Sequence, residues 1–182
     1  MSDHGLRATQ AGALARLWAG WRMPYLVEGS DGGDEADGEA CVFCRILASD
    51  DPPEETYVLW RDERCAAVLN AYPYTSGHLL VLPVRHLGDL EELTAEEATG
   101  TWATVTTAVR ALKDAYSPEG VNVGINLGRA AGAGVPGHFH VHCLPRWDGD
   151  TNFMTTVAEA RVIPESLPST FERLRAAWPS RS

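Results

Sequence analysis

The stretch "GHFHVHCLPRW", residues 137–147, sets His138, His140 and His142 at alternate positions. The chain has 6 histidines among 182 residues, so half of them fall within this one short segment. Alternation is the period of a β-strand, whose successive side chains point to opposite faces. Read as a strand, the stretch puts three imidazoles on one face and Phe139, Val141 and Cys143 on the other. At ~3.3 Å per residue, neighbouring histidines lie ~7 Å apart and the outer pair ~13 Å apart. No single metal ion can join the outer pair, so the three must divide their labour. The plain alternative is a polar strand face, which would leave three titratable groups competing for charge.

The segment just before, "GRAAGAGVPG" (128–137), holds four glycines in ten residues. Such a loop either lets backbone N–H groups converge on an anion or is simply a flexible turn. No residue from 127 to 137 carries a hydroxyl or amide side chain. Upstream, "VNVGINL" (121–127) and "HLLVLP" (78–83) read as strands, the second apolar enough to be buried. "TYVLWR" (56–61), the turn "DE" and "CAAVLN" read as a hairpin, and "NAYPYTSG" (70–77) as a turn-rich connection. Pro52-Pro53 falls in an acidic loop. Thr94 with Glu97 three residues on forms a capping box that opens a helix running to about Tyr116, closed by Pro118. A terminal helix is expected over Glu165–Trp178. Hairpin strands with a few helices give an α+β domain with an antiparallel sheet.

The formal net charge is −10. Six of the acids crowd into "EGSDGGDEADGEA" (28–40) with no base among them, leaving −4 on the rest. That balance argues against a nucleic-acid polymer as partner, which wants a basic face, but not against a small phosphorylated ligand. Residues 1–40 read as a helical lead-in (6–27, with Trp18, Trp21 and Tyr25) and a disordered acidic linker. Residues 41–182 form the main domain with a C-terminal extension. No apolar run approaches the ~18 residues that cross a bilayer, and the N-terminus lacks a secretory pattern. The expected setting is the cytoplasm, with no membrane partner. There the four cysteines form no disulfide framework: Cys65 and Cys143 are packing residues in apolar runs, while Cys41 and Cys44 make a C-x-x-C pair. That pair is a metal site, a reduced surface pair or a redox pair.

"HFHVHCL" (138–144) is similar to the signature of the histidine triad family of nucleotide hydrolases and transferases. "CVFCRIL" (41–47), "LNAYPYTSGHLLVLPVRH" (69–86) and "LPRWDGDTNF" (144–153) also resemble segments of that family, so the likeness spans roughly 41–155. It is nearest to a bacterial branch of diadenosine tetraphosphate phosphorylases and hydrolases. The resemblance implies a triad-type fold, a long helix and a C-terminal helix beside the sheet, and a homodimer.

The resemblance also implies roles. His140 would be the nucleophile that forms a nucleotidyl-histidine, neutral and with one ring nitrogen held by a backbone carbonyl of the preceding loop. His142 would bind phosphate oxygens, and His138 would orient the site from the far side. Asn70 would contact ribose and His78 would support the triad. Asn126 and the loop Gly132, Ala133 and Gly134 would contact phosphate. Trp147 would reach toward a partner's site. Zinc-binding relatives imply a structural zinc on Cys41, Cys44, His86 and His138. The bare loop favours a nucleoside polyphosphate, whose leaving group departs easily. Phosphate as acceptor makes the enzyme a phosphorylase; water makes it a hydrolase releasing AMP. From another class, the same features would suit a zinc-stabilised nucleotide-binding regulator with little turnover.

Overall fold

The computed structural model describes residues 41–150 and 165–179. The expected lead-in and acidic linker of residues 1–40 lie outside them, as does the end of "LPRWDGDTNF". Five strands form one antiparallel sheet: β1 (Val58–Arg61), β2 (Cys65–Leu69), β3 (Leu79–Pro83), β4 (Gly120–Ile125) and β5 (Val141–Arg146), in the order β1-β2-β3-β5-β4. Among the described residues the α-helices are α1 (Val42–Ala48), a single turn α2 (Pro53–Thr56), the long α3 (Ala95–Tyr116) and α4 (Leu167–Ala177). None is long and apolar enough to cross a membrane.

The capping box at α3 forms as the sequence suggests. Thr94 Oγ1 accepts from the Glu97 amide at 3.2 Å, and Glu97 accepts from the Thr94 amide at 2.9 Å. Buried residues of α3 fall at Thr101, Thr104, Val105, Ala108, Ala111 and Leu112, the i, i+3, i+4, i+7 spacing of one helical face. That face packs on Ala67, Leu69, Leu79, Val81, Val141 and Cys143, with Phe171 and Leu174 of α4 completing the core. The opposite face of β2 and β3 carries Ala66, Val68, Leu80 and Leu82, covered by Cys41, Phe43 and Leu47 around α1. His142 pairs with Leu80 across β3 and β5, so it shares this second face.

Two local readings change. Residues 42–48 and 53–56, read as a motif segment and a loop, are helical, the second with Pro53 in its first turn, where a missing N–H costs nothing. The triad stretch is a strand only from Val141 onward. The ladder to β3 ends at Val81↔Val141 because Pro83 has no N–H to donate. Its carbonyl instead takes the His138 ring, and the Phe139 amide donates to Leu87 at 2.6 Å. Alternation survives the change: Phe139 still faces the core, and the three histidines still look the other way.

Candidate functional site

The second sheet face gathers all seven of the histidine and cysteine positions singled out around the triad into two adjoining groups. In the first, Cys41 Sγ lies 3.4 Å from His138 Nδ1, and Cys44 Sγ lies 3.6 Å from that atom and 3.3 Å from His86 Nδ1. The four donor atoms all fall within 4.8 Å of one another. A tetrahedral zinc with arms of 2.0–2.3 Å wants edges of roughly 3.3–3.8 Å, so the set fits such an ion. The chemistry of the ring agrees. His138 Nε2–H donates to the Pro83 carbonyl at 2.9 Å, which leaves the Nδ1 lone pair toward the sulfurs. Burial, reinforced by His86 and His140 and opposed by that hydrogen bond, pushes the His138 pKa down to about 4. Burial, then the neighbouring Cys41, pushes the Cys44 thiol up to about 11. A cation would reverse that preference by binding the thiolate.

The second group surrounds His140. Its Nδ1–H donates to the backbone carbonyl of His138 at 2.7 Å, the loop carbonyl the sequence called for. That bond puts the proton on Nδ1 and leaves Nε2 as a lone pair. Burial lowers the pKa of His140, against the pull of the same carbonyl, so the ring is neutral at neutral pH. The His142 ring stands 5.0 Å away, centroid to centroid.

His78 sets the protonation of His142. The Tyr74 amide donates to His78 Nδ1 at 3.1 Å, so the His78 proton sits on Nε2. From there it donates to Nδ1 of His142 at 2.9 Å. His142 in turn keeps its own proton on Nε2, as a donor. Asn70 Nδ2 lies 3.2 Å from His78 Nδ1, and its Oδ1 accepts from the Tyr72 amide at 3.0 Å. The His78 turn depends on Gly77, whose φ of +82° is open to glycine and strained for other residues.

Asn126 stands 3.5 Å from His142 Nε2 and donates to the Gly132 carbonyl at 3.5 Å, which brings the glycine loop to the triad. The amides of Ala131, Gly132 and Ala133 close the turn onto the carbonyls of Gly128 and Arg129. Trp147, five residues past His142, stacks edge-on against Tyr116 at 6.2 Å, ~16 Å along the strand from the triad. Two residues went unnoticed in the sequence. Phe43 packs its ring on both His138 and His140, at 5.5 and 5.3 Å. Tyr74 lies over His78 at 4.6 Å and parallel to His142. Their placement between the two cysteines and four residues before His78 was the available signal.

The HIT domain family matches residues 52–149. An AP-4-A phosphorylase of Mycobacterium tuberculosis (strain CDC 1551 / Oshkosh) is 41% identical over 171 residues, covering 93% of this chain and 87% of that protein. The Bacillus subtilis (strain 168) protein named Protein hit is 36% identical over 115 residues, 63% of this chain and 77% of its own length. Among solved structures, a histidine triad family protein from Mycobacterium smegmatis, described as Zn-bound, superposes with a TM-score of 0.63 at 30% identity, over 78% of this chain and 95% of that one.

Proposed function

The chain belongs to the HIT family, and from that premise we propose that it is a dinucleoside polyphosphate phosphorylase acting through a nucleotidyl-histidine at His140. The observation that carries the reading is the 2.7 Å bond from His140 Nδ1–H to the His138 carbonyl, which presents Nε2 as a neutral nucleophile. The 41% identity to a protein named AP-4-A phosphorylase directs the choice of substrate.

With diadenosine tetraphosphate, Nε2 attacks an α-phosphorus. The bond to the bridging oxygen breaks, ATP leaves and an adenylyl group stays on His140. An oxygen of inorganic phosphate then attacks the same phosphorus, the N–P bond breaks and ADP departs, restoring the lone pair. His142 Nε2–H donates to a non-bridging phosphoryl oxygen as charge develops there. Asn70 holds the ribose. Asn126 and the loop at Gly132, Ala133 and Gly134 meet the phosphates. Zinc on Cys41, Cys44, His86 and His138 would act as a structural cross-link between α1 and the triad loop. A reducing compartment, the cytoplasm, would keep the two thiols available to it. A second copy pairing along the outer edge of β4 would cover the sheet's edge there and bring Trp147 toward the neighbouring site.

The test is product analysis with diadenosine tetraphosphate. With millimolar phosphate, ADP and ATP should appear in equal amounts, and without phosphate the rate should fall steeply. AMP and ATP released at a rate indifferent to phosphate would make the enzyme a hydrolase instead.

A further inference from the structure

The C-terminal segment builds a polar clamp that the reaction scheme leaves unused. Glu165, just ahead of α4, accepts from Tyr116 Oη at 2.5 Å, from Thr170 Oγ1 at 3.0 Å and from Arg173 Nε at 2.9 Å. The Arg173 guanidinium also lies over the Tyr116 ring, 5.3 Å from its centroid. Three side chains thus hold one phenol ring in place at the end of α3.

That ring abuts the turn that delivers His78. A Cβ placed on Gly77 would meet Tyr116 Cε2 at 2.9 Å, Leu112 Cδ2 at 3.2 Å and Pro145 Cγ at 3.1 Å. The turn therefore rests directly on Tyr116, with no slack on that side. Gly77 is bonded in sequence to His78, whose amide closes the turn onto Thr75 at 3.3 Å and whose carbonyl accepts from Asn70 at 3.0 Å. The His78 ring then holds His142 at 2.9 Å. An unbroken line of contacts runs from α4 through Tyr116 and Gly77 to the His78–His142 pair.

We propose that the ring of Tyr116, anchored by Glu165, is a positioning residue for the His78–His142 pair, acting on the chemical step without touching substrate. The inference rests on the functional reading above, since it needs His142 to serve the reaction. The ring is the working part, because it is the ring that meets the turn. The hydroxyl serves to anchor it.

The experiment compares Tyr116→Leu and Tyr116→Phe with the unaltered full-length protein, reading kcat, KM for diadenosine tetraphosphate and Tm. Leucine leaves a gap under the turn, and a displacement of ~1 Å at a catalytic group can cost up to ~100-fold in rate. The expected result for Tyr116→Leu is a kcat lower by about 10-fold at nearly constant KM. Tyr116→Phe should keep the ring and restore kcat to within about threefold, although its Tm falls through loss of the Glu165 bond. If Tm and kcat instead fall together in both variants, or kcat is unmoved in Tyr116→Leu, the inference is overturned and the phosphorylase reading stands. If the unaltered protein forms no products from the dinucleotide at all, both fall.

Discussion

Replacing His78 with Phe tests the hydrogen-bond relay at its centre. The side chain is 1% exposed and stacks on Tyr74 and His142, so a phenyl ring of similar size keeps the packing. What it removes is polar: the acceptor for the Tyr74 amide at 3.1 Å, the partner of Asn70 at 3.2 Å and the donor to His142 Nδ1 at 2.9 Å. Without that donor nothing in the relay favours the His142 tautomer with its proton on Nε2. Deleting one member of a buried hydrogen bond costs about 1–3 kcal/mol. Expressed wholly in the chemical step, at about 1.4 kcal/mol per tenfold, this lowers kcat by about 5- to 150-fold. His78→Gln offers an amide N–H to the same nitrogen and should recover much of the loss. The assay is steady-state turnover of diadenosine tetraphosphate with saturating phosphate at pH 7.5, with a thermal scan to show that each variant is folded. A folded His78→Phe protein within twofold of the unaltered kcat, or a glutamine variant no better than phenylalanine, would refute the relay.

Other outcomes follow from the same geometry. The purified protein should hold about one zinc per chain by elemental analysis, and Cys41→Ser should lower Tm; no zinc after metal-replete expression would refute the assignment. Folding should weaken on acidification below pH 6.5. The folded pKa of His138 is about 4 and that of His140 is also depressed, while an unfolded histidine takes its proton near 6.5. Stability from these rings is thus complete above 6.5 and lost as pH falls toward 4, by up to about 3 kcal/mol for His138; equal urea midpoints at pH 7.5 and 5 would contradict this. Glu97→Ala removes the capping box at α3 and the Arg85 pair at 2.7 Å, and should cost about 1–2 kcal/mol in denaturant unfolding. The intact carboxyl, held by Arg85 at about 2, withdraws its contribution only as pH falls from 4.5 toward 2. Sedimentation should report a dimer at micromolar concentration, and a monomer there would count against pairing at β4.

Periodicity carried far in this chain where side-chain chemistry follows backbone period. The apolar run 78–83, the Thr94/Glu97 box and the alternation at 138–143 each depend on neighbours in sequence, and each appears in the structure as strand, capped helix and divided faces. Reading failed where a distant group decides. Pro83 ends the ladder to the triad, and it lies 55 residues from His138. The protonation of His142 depends on an amide at Tyr74, two bonds removed through His78. No local pattern encodes either. The helix over 42–48 is only seven residues long and apolar at all of them but Arg45, too short and unbroken for a helical period to stand out.

His138 explains why three alternating histidines are needed rather than two. Its side chain and its backbone serve different groups. The imidazole gives Nδ1 to the cysteine cluster and Nε2–H to Pro83, which immobilises the ring from both sides. The carbonyl of the same residue, set in place by that ring, receives Nδ1–H of His140. A freely turning carbonyl would let the His140 proton move to Nε2 and take the lone pair away from that nitrogen. Anchoring His138 therefore aims His140, as His78 aims His142. The ~7 Å step between alternate residues keeps the cluster and the His140 ring apart while leaving only one residue between them. A longer spacing would break the carbonyl contact, and a shorter one would turn one imidazole to the core.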